Sequence, residues 1–194
     1  MTSKLILDAC CGPRMFWFNK KNPNVLYQDI REEPKGYIPI RPSCEVQPDV
    51  LMDFRKMSHP DKSFKLVVFD PPHLLAGGEN GWQRKKYGIL AKTTWKDDLS
   101  KGFAECWRVL DDYGTLVFKW NEESIPIKQV LELFPVEPLF GHPTARSGKT
   151  KWCVFFKIPE VAKETEVKAG CNTDSHDDGI PPNTKELGIL PTIL

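Results

Sequence analysis

The stretch Lys65-Leu66-Val67-Val68-Phe69-Asp70-Pro71-Pro72-His73 decides how the rest of the chain is read. Lys65 to Phe69 is a short apolar run of strand character that stops abruptly at a carboxylate and two prolines. Successive prolines fix an extended turn, have no N–H to donate, and leave carbonyl oxygens free to accept. Asp70 beside those carbonyls makes an acceptor-only pocket suited to an NH₂ group, and the flat ring of His73 is placed to stack on a purine.

Upstream, Leu5-Ile6-Leu7-Asp8-Ala9-Cys10-Cys11-Gly12 is a second apolar run that ends in a carboxylate and a glycine turn. In a parallel sheet such a turn lies at the carboxyl edge, where ligands bind. Val25 to Gln28 follows and runs into Asp29, whose carboxylate can accept from both hydroxyls of a ribose. The dinucleotide fingerprint GxGxxG is absent, which argues against a nicotinamide or flavin cofactor.

Strands are predicted at Lys4 to Ala9, Val25 to Gln28, Val50 to Met52, Lys65 to Phe69, Thr115 to Trp120, Val136 to Phe140 and Trp152 to Lys157. Between them, Leu99, Phe103, Trp107 and Leu110 recur at helical spacing, with Thr94 and Asp97 as a capping pair at the start. A second helix is expected through Ile127 to Leu133. Alternating strands and helices mean an α/β fold with a mostly parallel sheet, closed by a hairpin of the last two strands. Residues 30–48 hold Pro34, Pro39, Pro42 and Pro48 and read as an irregular excursion. Residues 74–95 combine a Gly-rich opening with Trp82, Arg84, Lys85, Lys86, Tyr87 and Trp95, and read as a loop able to order on a substrate.

A chain of 194 residues, 40% of them hydrophobic, supports one core, so one domain over residues 1–159 is expected, with residues 160–194 a polar, poorly ordered tail. The formal net charge of +1 excludes a polybasic protein that holds nucleic acid by bulk electrostatics. Residues 1–159 nonetheless carry 24 basic against 19 acidic side chains, so the folded part is mildly basic. Two local clusters stand out, Arg84-Lys85-Lys86 and Arg146 with Lys149; either reads as a solvated loop alone, and together as the walls of a nucleic-acid groove. The six cysteines form no CxxC pair and no His stands at ligand spacing, so neither a metal site nor a disulfide framework is expected. The amino terminus lacks a secretory apolar stretch and no run approaches a membrane span, which gives a cytoplasmic expectation with no membrane partner.

In order and spacing, LDACCG, Asp29, VLMD ending at Asp53, and FDPPH resemble the class I S-adenosylmethionine-dependent methyltransferases that act on amino groups, whose motif is Asp, Asn or Ser followed by Pro-Pro and an aromatic ring. The likeness spans about residues 4–157 and is greatest to small phage and prophage DNA adenine methyltransferases, in which DPPH is followed by a KKYG-like segment and a strand like TLVFKW. It implies a Rossmann-like, seven-stranded sheet with an antiparallel last strand and helices on both faces. S-adenosylmethionine is the implied cofactor: Asp8, Ala9, Cys10 and Gly12 would cradle its methionine part, Asp29 its ribose and Asp53 its adenine amino group. Asp70, Pro71, Pro72 and His73 would be catalytic, with Trp82, Arg84, Lys85, Lys86, Arg146 and Lys149 on the substrate. The chain departs from the family in having Pro13 and Arg14 in the cofactor turn, His73 in place of Tyr, Phe or Trp, and no separate target-recognition domain. DNA is the favoured partner, with the target base flipped out against Trp82, Phe16, Trp17 or Trp120. RNA or a free nucleobase is the runner-up, and a non-catalytic binding module is the third reading.

Overall fold

In a computed structural model, residues 4–144 and 148–159 are described, all within the compact unit Met1–Glu160. Arg146 and the tail expected over residues 160–194 lie outside the described residues.

The elements run β1 (Ile6–Asp8), β2 (Val25–Asp29), β3 (Val50–Leu51), β4 (Phe64–Phe69), α1 (Trp82–Tyr87), α2 (Trp95–Val109), β5 (Leu110–Asn121), α3 (Ile127–Leu131), β6 (Phe140–Thr144) and β7 (Thr150–Phe156). They build one seven-stranded sheet in the order β3-β2-β1-β4-β5-β7-β6. The pairs β1 with β2, β1 with β4, β2 with β3 and β4 with β5 are parallel, while β7 is antiparallel to both β5 and β6. This is the Rossmann-like seven-stranded sheet that the sequence predicts.

Side-chain alternation assigns the two faces. Leu7, Val67 and Leu116 stand side by side in register, as do Phe69 and Phe118, and all five are buried in the main core. Against them α2 packs Leu99, Phe103, Cys106 and Val109, and α3 adds Val130. On the other face, Ile6, Val25 and Tyr27 meet Cys11 and Trp17 in a smaller cluster. The turn-rich segment after β1 supplies Cys11 and Trp17 to that cluster. Gly12, Pro13, Pro23 and three asparagines between β1 and β2 account for its turns, since each favours turns over helix.

Two glycine positions let elements approach closely. A Cβ on Gly102 of α2 would lie 2.5 Å from the Phe54 ring and 2.7 Å from Phe69, so the helix can sit on those rings only because position 102 has no side chain. A Cβ on Gly141 would meet the Trp152 carbonyl at 2.6 Å, across the β6–β7 pair. The capping expectation needs correction: the Thr94 hydroxyl donates to Asp98 at 2.8 Å and caps no backbone amide. The other oxygen of Asp98 accepts from Arg55 at 2.8 Å, and Asp97, the expected capping partner, pairs with Lys101 at 2.7 Å.

Candidate active site

The strand order reverses between β1 and β4, and the carboxyl ends of β1, β2 and β4 frame a cavity of about 670 Å³. Such a switch point is where open α/β sheets bind ligands, and the volume falls within the roughly 300–1,000 Å³ of small-molecule sites.

The turn after β1 is stitched to both neighbouring strands. The Ala9 amide donates to the Val68 carbonyl at 2.9 Å and the Cys11 amide to the Gln28 carbonyl at 2.8 Å. Gly12 adopts φ +44°, where glycine is favoured, and its amide donates to Asp29 Oδ2 at 2.8 Å. Ala9, Cys10, Gly12 and Asp29 therefore line one wall. Asp8 does not. It points to the opposite sheet face, fully buried, and accepts the Trp17 indole N–H at 2.7 Å. Burial pushes its carboxyl up to about 7; the Trp17 bond works against that rise and the charge of Asp70 adds to it.

Asp53 is also outside the cavity lining. Arg55 donates from Nε to both of its oxygens at 3.0 Å and holds it below the usual carboxylate range, while reaching Asp98 of α2 at 2.8 Å. The ring of Phe54, the next residue, lines the cavity instead.

The third wall follows β4. In the β4–β5 register Phe69 pairs with Phe118, so the residues one step further along, Asp70 and Lys119, stand side by side. Lys119 Nζ donates to Asp70 Oδ2 at 2.5 Å. Burial raises the Asp70 carboxyl above its ordinary value and the Lys119 ammonium opposes the rise. Pro72 and His73 line the cavity, with Pro71 buried beside them. Burial, assisted by the Lys119 charge, lowers His73 to about 4, so its ring is neutral near pH 7. That ring lies 5.2 Å from Tyr87 and 6.3 Å from Trp120, centre to centre.

The segment after the prolines closes over this opening. It contains the one short helix that the sequence reading left as loop, α1, and is anchored by Arg31: its guanidinium donates to the Lys85 carbonyl and, at 2.7 Å, to the Lys86 carbonyl. Because Arg31 follows β2 by two residues and also stands 3.6 Å from Asp29, the loop is fixed to the same strand end as the acidic wall. Gly88, at φ +74°, turns the chain back over Pro72. Trp82 lines the cavity under the guanidinium of Arg41, 4.4 Å from the ring centre. Lys86 also lines it and is only 5% exposed.

The remaining substrate candidates separate. Arg84 is exposed and donates to the Gly77 carbonyl at 3.3 Å, and neither it nor Lys85 lines the cavity. Lys149 pairs with Glu123 at 2.6 Å, on the rim that Glu123 shares. Of the four aromatic candidates, Phe16 and Trp82 line the cavity. Trp17 serves Asp8, and Trp120 is fully buried with its indole N–H donating to the Ile125 carbonyl at 2.9 Å. Sequence reasoning missed Lys119, Phe54 and Arg31; for Phe54 the available signal was an aromatic beside the strand-terminal Asp53.

No protein-family model and no curated protein matches the chain. Solved structures do. A TehB-like SAM-dependent methyltransferase from Corynebacterium glutamicum superposes with a TM-score of 0.50 at 20% identity, over 81% of each chain. A SAM-dependent methyltransferase from Methanosarcina mazei gives 0.50 at 13% identity, over 80% of this chain and 92% of the other. The chain has the class I methyltransferase fold. In that fold the cavity described above occupies the switch point of the sheet, so its walls come from strand ends that the topology itself holds together. Among the described residues no group of His, Cys, Asp and Glu is gathered as a metal site, and no helix is long and apolar enough to cross a membrane.

Proposed function

We propose that this chain is an S-adenosylmethionine-dependent methyltransferase acting on an exocyclic amino nitrogen, N6 of adenine in DNA. The observation that carries the proposal is the meeting of Asp70, Pro72 and His73 with Gly12, Asp29 and Phe54 in one cavity. The residues present suit the cofactor. Ala9, Cys10 and Gly12 leave room for a main-chain-like ligand, with nothing within 4 Å of a Cβ on Gly12; Asp29 offers acceptors for ribose hydroxyls; and Phe54 offers a face to an adenine. The Asp53 role implied by family resemblance would require Arg55 to release its carboxylate.

When bound, the cofactor supplies an electrophilic methyl on sulfonium. The chain's own residues act on the acceptor. An exocyclic amine is a weak nucleophile because its lone pair is delocalised into the ring. Lys119 occupies Asp70 Oδ2 and its charge opposes the rise that burial causes, so Oδ1 is the oxygen left to accept one amine N–H, with the Pro71 carbonyl accepting the other. Held this way, the nitrogen moves toward tetrahedral geometry and its developing positive charge faces a fixed carboxylate. Once the methyl has passed to nitrogen, leaving a neutral thioether, Asp70 Oδ1 would take the surplus proton along its hydrogen bond and pass it on to solvent. His73, neutral near pH 7, holds the base plane without adding a repelling charge.

The decisive test uses the full chain with labelled methyl donor and adenine-containing DNA, cytosine-only DNA and RNA. Transfer to adenine-containing DNA is expected, with Asp70→Ala losing at least about a hundredfold in rate, in line with loss of a transition-state acceptor, while donor affinity stays within twofold. Near-wild-type transfer by Asp70→Ala would overturn the assignment, and transfer to RNA alone would overturn the choice of polymer.

A further inference from the structure

Beside the active-site cavity, sharing Gly12, Pro13, Met15 and Lys86 with it, lies a second cavity of about 550 Å³. Five cationic side chains line it, Arg14, Lys20, Lys21, Arg41 and Lys86, against a single acid, Glu45. Arg14 is committed to the fold: it donates to the Lys20 carbonyl at 2.6 Å and lies 3.7 Å above the Tyr27 ring. The others are not bound in ion pairs. Among the described residues no carboxylate pairs with Lys20, Lys21, Arg41 or Lys86.

Lys86 is the telling member. A lysine 5% exposed is normally buried only together with a counter-charge, because desolvating an unpaired ammonium is costly. Here its ammonium has the face of Tyr87 at 4.8 Å and, among the described residues, no carboxylate partner, while its backbone is pinned by Arg31. It stands where the two cavities join. An oxyanion brought by a ligand would supply the counter-charge that the described residues do not. One anion would satisfy Lys86, yet three further unpaired cations continue away from the target pocket through the second cavity, which suits a chain of anions more than a single carboxylate.

We propose that this second cavity is the path of the nucleic-acid backbone, with Lys86 on the phosphate next to the flipped nucleotide and Lys20, Lys21 and Arg41 on the phosphates that follow. The inference rests on the reading of the substrate as a polymer of nucleotides. It moves the path away from Arg84, Lys85 and Lys149, whose side chains are outside both linings, and onto the irregular segments after β1 and after β2.

The test measures binding of a fluorescein-labelled single-stranded DNA 12-mer to the full chain without methyl donor, across a salt series, and donor affinity by calorimetry. The variant Lys20→Gln/Lys21→Gln/Arg41→Gln is expected to bind the oligonucleotide at least tenfold more weakly and to flatten the slope of log K against log salt by about 2, from three lost phosphate contacts at roughly 0.7 each. Its donor affinity is expected to be unchanged. Lys86→Met is expected to weaken DNA binding while leaving donor affinity within twofold. Unchanged DNA affinity and slope in the triple variant would overturn the path. Loss of donor affinity without loss of DNA affinity in Lys86→Met would assign its anion to the donor's carboxylate and overturn the Lys86 contact. If the unaltered chain binds no DNA even at low salt, the polymer reading itself fails, an outcome distinct from intact binding that ignores these four residues.

Discussion

At the scale of single residues, the chemistry turns on how charge is shared between Asp70 and Lys119. Burial drives the carboxyl toward its neutral form and the ammonium opposes that drive. Replacing Lys119 by Met removes the opposing influence, so the Asp70 pKa climbs further; since the amine needs an ionised acceptor, activity is then lost from the low-pH side first. The expected outcome is an acid limb of the rate profile displaced to higher pH, with activity recovered as the pH is raised and donor affinity unaltered. An undisplaced limb would show that Asp70 ionisation does not limit the reaction. Asp70, His73, Gly12 and Asp29 were legible from sequence because each ends a strand or lies within four residues of a strand's end, so the backbone alone delivers them to the edge. Lys119 was not, because its role depends on which strand pairs with which and in what register. Asp8 and Asp53 mislead for a related reason: a strand-terminal carboxylate can turn to either face, and Trp17 and Arg55 decide where these two go.

Among the elements, α2 carries the clearest consequence for the site. Its Gly102 touches the ring that lines the cavity, so Gly102→Ala sets helix propensity, worth up to about 1 kcal/mol in favour of Ala, against overpacking, which costs about 1–3 kcal/mol. With contacts of 2.5–2.7 Å to two buried rings, overpacking wins. A net loss of about 1–2 kcal/mol in urea denaturation is expected, together with weaker donor binding as Phe54 is pushed toward the cavity. Unchanged stability would mean that Phe54 and Phe69 yield freely. The helix itself was legible because its apolar spacing runs for four turns. The helix α1, six residues long, has too few turns to show a period, and β6 was expected at Val136 to Phe140 but begins at Phe140. Val136 and Leu133 pack against the core instead.

For the whole molecule, the walls of the cavity come from three different strand ends, so filling it ties those strands together. S-adenosylmethionine or its demethylated product at a hundred times its dissociation constant is expected to stabilise the fold by about 2.7 kcal/mol. For a domain of this size that is a rise of roughly 5–10 °C in melting temperature. Asp29→Ala should reduce the shift; a melting temperature indifferent to millimolar ligand would sink the cofactor reading. The sheet order has a further consequence, for biosynthesis. Among the described residues the last strand in sequence is not the last in the sheet: β7 sits between β5 and β6 and is the one partner of β6. While the ribosome is still adding residues before Thr150, β5 keeps one edge open and β6 has nothing to pair with, so the sheet cannot close as the nascent chain emerges. Completion must wait for the strand Thr150–Phe156 to enter between two neighbours made earlier, which leaves two unpaired edges exposed to other chains during synthesis.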